Sequence, residues 1–190
     1  MTKEELRKVY IQKRSSLSNS TYNQLNKDLR AVFFKDIDLS QVKVLHCFLP
    51  IERNNEPDTG SIINEVREQY PNISIVIPRV NSTTQTLENF LYEPSTVLKK
   101  SGWGIPEPEA GVAVDAGTID MVLVPMLIFD KEGHRVGYGR GFYDKLLAST
   151  REGCKRVGIC LFDPVDRIDN IQEFDQPLDK CVTPARSYSF

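Results

Sequence analysis

No apolar run in this 190-residue chain is long enough to cross a membrane. The longest, Met121 to Phe129, is interrupted by Pro125 and falls far short of the ~20 residues that a spanning helix needs. An excess of one charge is missing too. The formal net charge is −2 and the pI about 5.8, which excludes a global field for nucleic acid or an anionic membrane. Any anion site must therefore be local. Cysteine is sparse: Cys47, Cys154, Cys160 and Cys181 make no C-x-x-C pair, so buried thiols are expected rather than a disulfide framework or a zinc site. The two histidines, His46 and His134, have no partner at metal-ligand spacing. No Ser/His/Asp or Cys/His constellation stands out. The N-terminus is charged from Lys3 onward and has no signal-like apolar stretch. These absences predict a cytoplasmic protein with no nucleic-acid or membrane partner; a monomer is the separate expectation.

What is present fits one domain over residues 1–190, with 40% hydrophobic residues to fill its core. Leu6, Val9, Tyr10 and Leu17 mark one helical face; Leu25, Leu29, Val32 and Phe33 mark a second after Ser18-Asn19-Ser20. Ile62, Ile63, Val66 and Tyr70 predict a third helix, and Phe142, Leu146 and Leu147 a fourth. Short apolar runs at Val42–Leu49, Ile73–Ile77, Met121–Val124 and Val157–Leu161 read as buried strands. Strands alternating with helices predict an α/β fold with a largely parallel sheet. Ligands of such sheets gather beyond the carboxyl ends of the strands. That rim would gather Pro50–Glu56, Pro78-Arg79 and the loop after Pro125.

The richest motif is Gly137-Tyr138-Gly139-Arg140-Gly141-Phe142-Tyr143-Asp144. Alternate glycines permit positive φ and let an anion approach the backbone N–H groups. Arg140 can fork onto a phosphate, the following helix would turn its positive end to the same anion, and Asp144 offers a hard oxygen for Mg²⁺. Glycines alone would suit a surface loop that caps a helix; the arginine and aspartate favour a nucleotide-phosphate site. The spacing matches neither G-x-x-x-x-G-K-[ST] nor G-x-G-x-x-G. No strand is expected to lead directly into the loop, since Asp130-Lys131-Glu132-Gly133 reads as a turn.

Val124-Pro125-Met126-Leu127-Ile128-Phe129-Asp130 followed by Gly133 to Asp144 resembles the signature of the 5-formyltetrahydrofolate cyclo-ligase family, also called 5,10-methenyltetrahydrofolate synthetases. Lys3 to Arg7, Glu56-Pro57-Asp58-Thr59, Ile77-Pro78-Arg79 and Trp103 to Pro108 extend the resemblance in order along nearly the whole chain. It implies a three-layer fold similar to that of sugar-phosphate isomerases and CoA transferases. It also implies the reaction ATP + 5-formyltetrahydrofolate → 5,10-methenyltetrahydrofolate + ADP + phosphate, with Mg²⁺ as cofactor. Fold likeness leaves an isomerase- or transferase-like enzyme, or a non-catalytic ATP/folate binder, as the alternatives.

The resemblance also assigns residues. Lys3 and Arg7, four apart on one helix face, match a basic pair that reaches ATP, with Arg7 also near the folate. Glu56 matches a carboxylate that holds the folate. Arg135, Val136, Gly137, Tyr138, Gly139, Arg140, Gly141, Phe142 and Tyr143 correspond to the ATP loop, whose Tyr138–Phe142 portion borders the folate. Arg140 and Tyr143 are the expected catalytic groups. Asp144 and Asp175 are the expected metal ligands, Arg79 a phosphate contact, and Trp103 a wall for the pterin. Met126 replaces a frequent glycine, Phe142 the first of a Tyr-Tyr pair, and Tyr138 a residue that is basic in some relatives. The segment Pro50–Asn55 is longer than usual.

Overall fold

The computed structural model describes residues 1–102 and 104–190; the expectation for Trp103 lies outside the described residues. Thr2 starts the first helix with a reciprocal cap: its Oγ1 accepts the Glu5 N–H at 3.3 Å and its own N–H donates to Glu5 Oε2 at 2.8 Å. Helix α1 (Lys3–Ser15) is thereby fixed at its first turn, where Lys3 and Arg7 sit. Ser18 caps α2 (Asn19–Asp36) and Asp58 caps α3 (Thr59–Gln69). The fourth helix, α4 (Phe142–Ser149), starts from Gly141 without a side-chain cap.

The strands are β1 (Val44–His46), β2 (Ser74–Asn81), β3 (Thr86–Leu91), β4 (Leu98–Lys100), β5 (Pro106–Pro108), β6 (Met121–Pro125), β7 (Ile128–Phe129), β8 (Arg135–Val136), β9 (Lys155–Ile159), β10 (Lys180–Val182) and β11 (Ser187–Ser189). Seven form one sheet in the order β11-β10-β9-β6-β1-β2-β3. Its four central pairings are parallel, and an antiparallel strand closes each edge. The expected α/β architecture is therefore present. The antiparallel edges and the separate β4–β5 and β7–β8 ribbons are additions to it.

Strand alternation divides the core. Leu123 and Met121 join Leu29, Phe33, Ile62 and Val66 on the α2/α3 face; Val122 and Val124 join Leu6, Tyr10, Leu146 and Leu147 on the α1/α4 face. Helices cover both faces, giving three layers. Met126 is buried in the second cluster. A Cβ on Gly158 would meet its Cε at 2.3 Å, so Met126 fills space that the glycine leaves open in the core. Among the described residues no helix is long and apolar enough to cross a membrane.

The turn at Asp130–Gly133 exists as read, but a strand does lead into the glycine loop. Ile128 and Phe129 pair antiparallel with Val136 and Arg135, so the chain reverses and β8 runs straight into Gly137. Buried Asp130 holds the reversal: its Oδ1 accepts the N–H groups of Glu132 and His134 at 3.0 and 2.9 Å, and its Oδ2 accepts that of Ile168 at 3.1 Å.

Candidate active site

A cleft of about 1190 Å³ opens at the carboxyl ends of the parallel strands. Phe48 and Leu49 after β1, Pro78 and Val80 in β2, and Pro125 at the end of β6 form its floor. Most of the expected rim lines it, with Ile51, Arg53, Asn54, Glu56, Pro78 and Pro125 present and Arg79 outside. Its charged walls come from α1, the glycine loop and the segment around Asp175.

Gly139 and Gly141 adopt φ of +87° and +68°, whereas Gly137 does not need positive φ. The left-handed Gly141 turns the chain into α4 and provides no side-chain cap hydrogen bond to the first-turn N–H groups. Those N–H groups have no intrahelical acceptor and carry the positive end of the helix; Gly141, Phe142 and Tyr143 line the cleft. Arg140, exposed beside them, contributes cationic charge. Arg7 crosses from α1 to donate its Nε–H to the Gly137 carbonyl at 2.9 Å.

Two carboxylates face the cleft, each already holding a cation. Asp144 Oδ1 accepts from Arg135 Nη2 at 2.6 Å and from the Gln176 N–H at 3.1 Å, while Arg135 Nη1 donates to the Gln176 carbonyl. Asp175 Oδ2 pairs with Lys3 and accepts the Gln172 N–H at 2.7 Å. Asp144 Oδ2 and Asp175 Oδ1 stand outside these contacts. A carboxylate oxygen from each is the hard donor type that a divalent cation takes.

Glu56 is 3% exposed. Burial raises its pKa, opposed by the Tyr138 hydroxyl (2.6 Å), the Ile51 N–H (2.8 Å) and Arg14. Tyr143 is held as a neutral phenol: burial, followed by Cys47 and Glu56, pushes its pKa well up. Its hydroxyl has no partner among the described residues, and its ring stands edge-on to His46 at 5.9 Å.

The cleft thus gathers Lys3, Arg7, Glu56, Arg135, Gly137 to Asp144, and Asp175. Two of the expected ATP contacts stand off the cleft wall. Val136 does not reach the cleft wall; it is a core residue of β8 whose carbonyl accepts the Leu127 N–H at 2.8 Å. Arg79 lies within β2 rather than at its end. Because side chains alternate along a strand, Pro78 and Val80 face the cleft while Arg79 pairs with Glu88 at 2.8 Å and donates to the Glu109 carbonyl at 3.1 Å.

Sequence reasoning missed Arg14 and Glu107. Arg14 follows Arg7 by seven residues, two helical turns, so it extends the Lys3–Arg7 stripe into the protein, where it is 3% exposed. Glu107, on the cleft wall, accepts the Val80 N–H at 3.1 Å, and burial raises its pKa. His134 also lines the cleft, and with Asp130 and Glu132 it brings three potential ligand atoms within 4.8 Å of one another. Asp130 spends both oxygens on the turn and on Ile168, so this cluster is read as a structural clasp.

An open α/β sheet with a glycine-lined cationic cleft at its strand ends is the framework of a phosphate-handling enzyme. The chain belongs to the 5-formyltetrahydrofolate cyclo-ligase family, whose family model matches residues 1–184. It is 28% identical to the 5-formyltetrahydrofolate cyclo-ligase of Haemophilus influenzae over 179 residues, covering 92% of this chain and 91% of that protein. Against the Mus musculus 5-formyltetrahydrofolate cyclo-ligase it is 39% identical over 112 residues, 55% of this chain and 53% of that protein. The NMR structure of Aquifex aeolicus 5,10-methenyltetrahydrofolate synthetase superposes with a TM-score of 0.81 at 26% identity, covering 100% of this chain and 93% of that one. A 5,10-methenyltetrahydrofolate synthetase from Mycoplasma pneumoniae shares the fold at a TM-score of 0.77 and 23% identity, over 97% of this chain and 99% of that one.

Proposed function

We propose that this chain converts 5-formyltetrahydrofolate and ATP to 5,10-methenyltetrahydrofolate, ADP and phosphate, with Mg²⁺, acting as a monomer over a single domain of residues 1–190. The observation that carries this reading is the convergence, in one cleft of a family member, of basic α1 side chains, an uncapped helix end and the buried Glu56.

A formamide oxygen is a poor leaving group, so attack by the neighbouring N10 needs activation. Transfer of the γ-phosphoryl group to that oxygen makes the formyl carbon electrophilic; N10 then attacks, loses its proton, and the C–O bond breaks to release phosphate. The protein needs no nucleophile of its own and contributes alignment and charge. Lys3, Arg7, Arg140 and the first-turn amides of α4 hold the phosphates in this reading. Arg135 fixes Asp144, and the ring of Phe142 borders the folate. Tyr143, a neutral phenol at neutral pH, orients rather than carries protons. Asp144 and Asp175 would hold Mg²⁺, which when bound neutralises phosphate charge. Glu56 accepts hydrogen bonds from the folate near its reacting nitrogens.

The test is the near-ultraviolet absorbance of the protein with 5-formyltetrahydrofolate and Mg²⁺, with and without ATP. An ATP-dependent rise of the methenyl chromophore matched by ADP release supports the assignment. Binding of both compounds without any rise would remove it.

A further inference from the structure

Three side chains tie α1, the segment preceding α3 and the glycine loop together behind the cleft. Arg14 donates through Nη2 to the Tyr138 hydroxyl, and that hydroxyl donates to Glu56 Oε1 at 2.6 Å. A phenol has one proton to give and lone pairs to accept with, so the chain Arg14→Tyr138→Glu56 uses it in both directions. Arg14 Nη2 also stands 3.9 Å from Glu56 Oε1. Arg14 Nη1 donates to the Met126 carbonyl at 3.3 Å, and Asn55 Nδ2 donates to the Arg14 carbonyl at 3.0 Å. Glu56 and Tyr138 line the cleft, whereas Arg14 lies behind its wall.

We propose that Arg14 is a positioning residue, which directs the Tyr138 hydroxyl onto Glu56 and so fixes the glycine loop and the folate-facing carboxylate as one unit. The inference rests on the cyclo-ligase reading for its substrates, but the linkage itself is a property of the fold. A buried guanidinium is costly to desolvate, and here Nη2 serves the phenol–carboxylate pair while Nη1 holds the Met126 carbonyl. Tyr22 from α2 donates to the Glu56 carbonyl at 2.8 Å. Tyr143 from α4 feels the Glu56 charge, and Tyr22 feels it together with Asp58 and Glu52. Burial favours the protonated carboxyl, and Tyr138 and Arg14 oppose it. Burial wins and the pKa is raised, and the hydrogen bond from Tyr138 and the charge of Arg14 limit that rise.

Arg14→Met, Arg14→Lys, Tyr138→Phe and the Arg14→Met/Tyr138→Phe double variant test this through kcat and KM for each substrate across pH. Arg14→Met is expected to raise KM for 5-formyltetrahydrofolate about tenfold, the scale of one charge-assisted hydrogen bond, and to move the acidic limb of kcat/KM to higher pH. Arg14→Lys should restore part of that limb. The double variant should be no worse than the poorer single, because both break one chain. Multiplicative losses, or an unmoved acidic limb, would overturn the proposal. If Arg14→Met does not fold, Arg14→Lys and Tyr138→Phe carry the same comparison. Should wild-type protein make no methenyl product, the cyclo-ligase reading falls alone, and hydrogen exchange at the Gly139–Gly141 amides then decides. Faster exchange in the Tyr138→Phe protein supports the linkage, and unchanged exchange removes it.

Discussion

Arg7 packs against Gly139 so closely that a Cβ there would lie 3.2 Å from the guanidinium carbon, on a backbone with φ of +87°. Close approach and left-handed geometry together demand glycine, and the same approach places the Arg7 charge over the loop. Gly139→Ala is expected to cost about 1–2 kcal/mol from backbone conformation alone. It should also raise KM for ATP by displacing Arg7. Thermal unfolding and initial rates at varied ATP check this; an unchanged KM would show that the Arg7–Gly139 contact has no part in nucleotide binding.

The Asp144–Arg135 pair makes Asp144→Asn more than a metal-ligand change. The substitution is nearly isosteric, but it removes the charge opposite Arg135, whose side chain is only 7% exposed. A stability loss of about 1–3 kcal/mol is expected, together with a fall in kcat of about 100-fold or more and a weakened response to Mg²⁺. Titrating Mg²⁺ against rate separates the two effects. Full activity at saturating Mg²⁺ would remove Asp144 as a ligand.

His46 sets a pH dependence of stability. It is fully buried on β1, and burial lowers its pKa to about 3 from an ordinary value near 6.5. Between those values the unfolded chain binds a proton that the folded protein does not, so protonation favours unfolding. Stability should therefore fall as pH drops from about 6.5 towards 3, by up to about 1.4 kcal/mol per pH unit from this residue. Unfolding curves at pH 7.5, 6 and 5 should show a shallower acid loss in His46→Phe than in wild type. Parallel losses would assign the acid sensitivity elsewhere.

Arg140 and Arg79 form a contrasting pair. Arg140→Ala should raise KM for ATP or lower kcat by removing charge from the cleft. Arg79→Ala should leave both constants near wild type and cost about 0–1 kcal/mol, since its guanidinium serves a partly exposed bridge to Glu88. Equal kinetic defects would return Arg79 to the nucleotide site.

The helices and central strands were readable because apolar periodicity reflects local rules. Strands β10 and β11, three residues each, carry no such pattern and exist through pairing at the sheet edge. Residues Thr86 to Leu91 of β3 are mostly half-buried, which blurs their alternation. The glycine loop was legible from chemistry, and its approach through β8 was not, since two residues cannot show a period. The position of Arg79 off the cleft wall follows from the strand's parity, and that of Val136 from its place in the core, neither of which the motif alone displays. Arg14 was hidden because an arginine late in a charged helix looks solvated until the fold buries it.

The Lys3–Asp175 contact joins positions 172 apart in sequence. During synthesis the first helix must therefore wait for almost the whole chain before its basic side chain meets its acidic partner. The cleft becomes complete only when the segment ahead of β10 arrives. Polypeptides released early would display α1, α2 and the first strands without a closed pocket, so ligand can reward only nearly finished molecules. Substrate added to a nascent-chain series should protect the protein from proteolysis in a single late step.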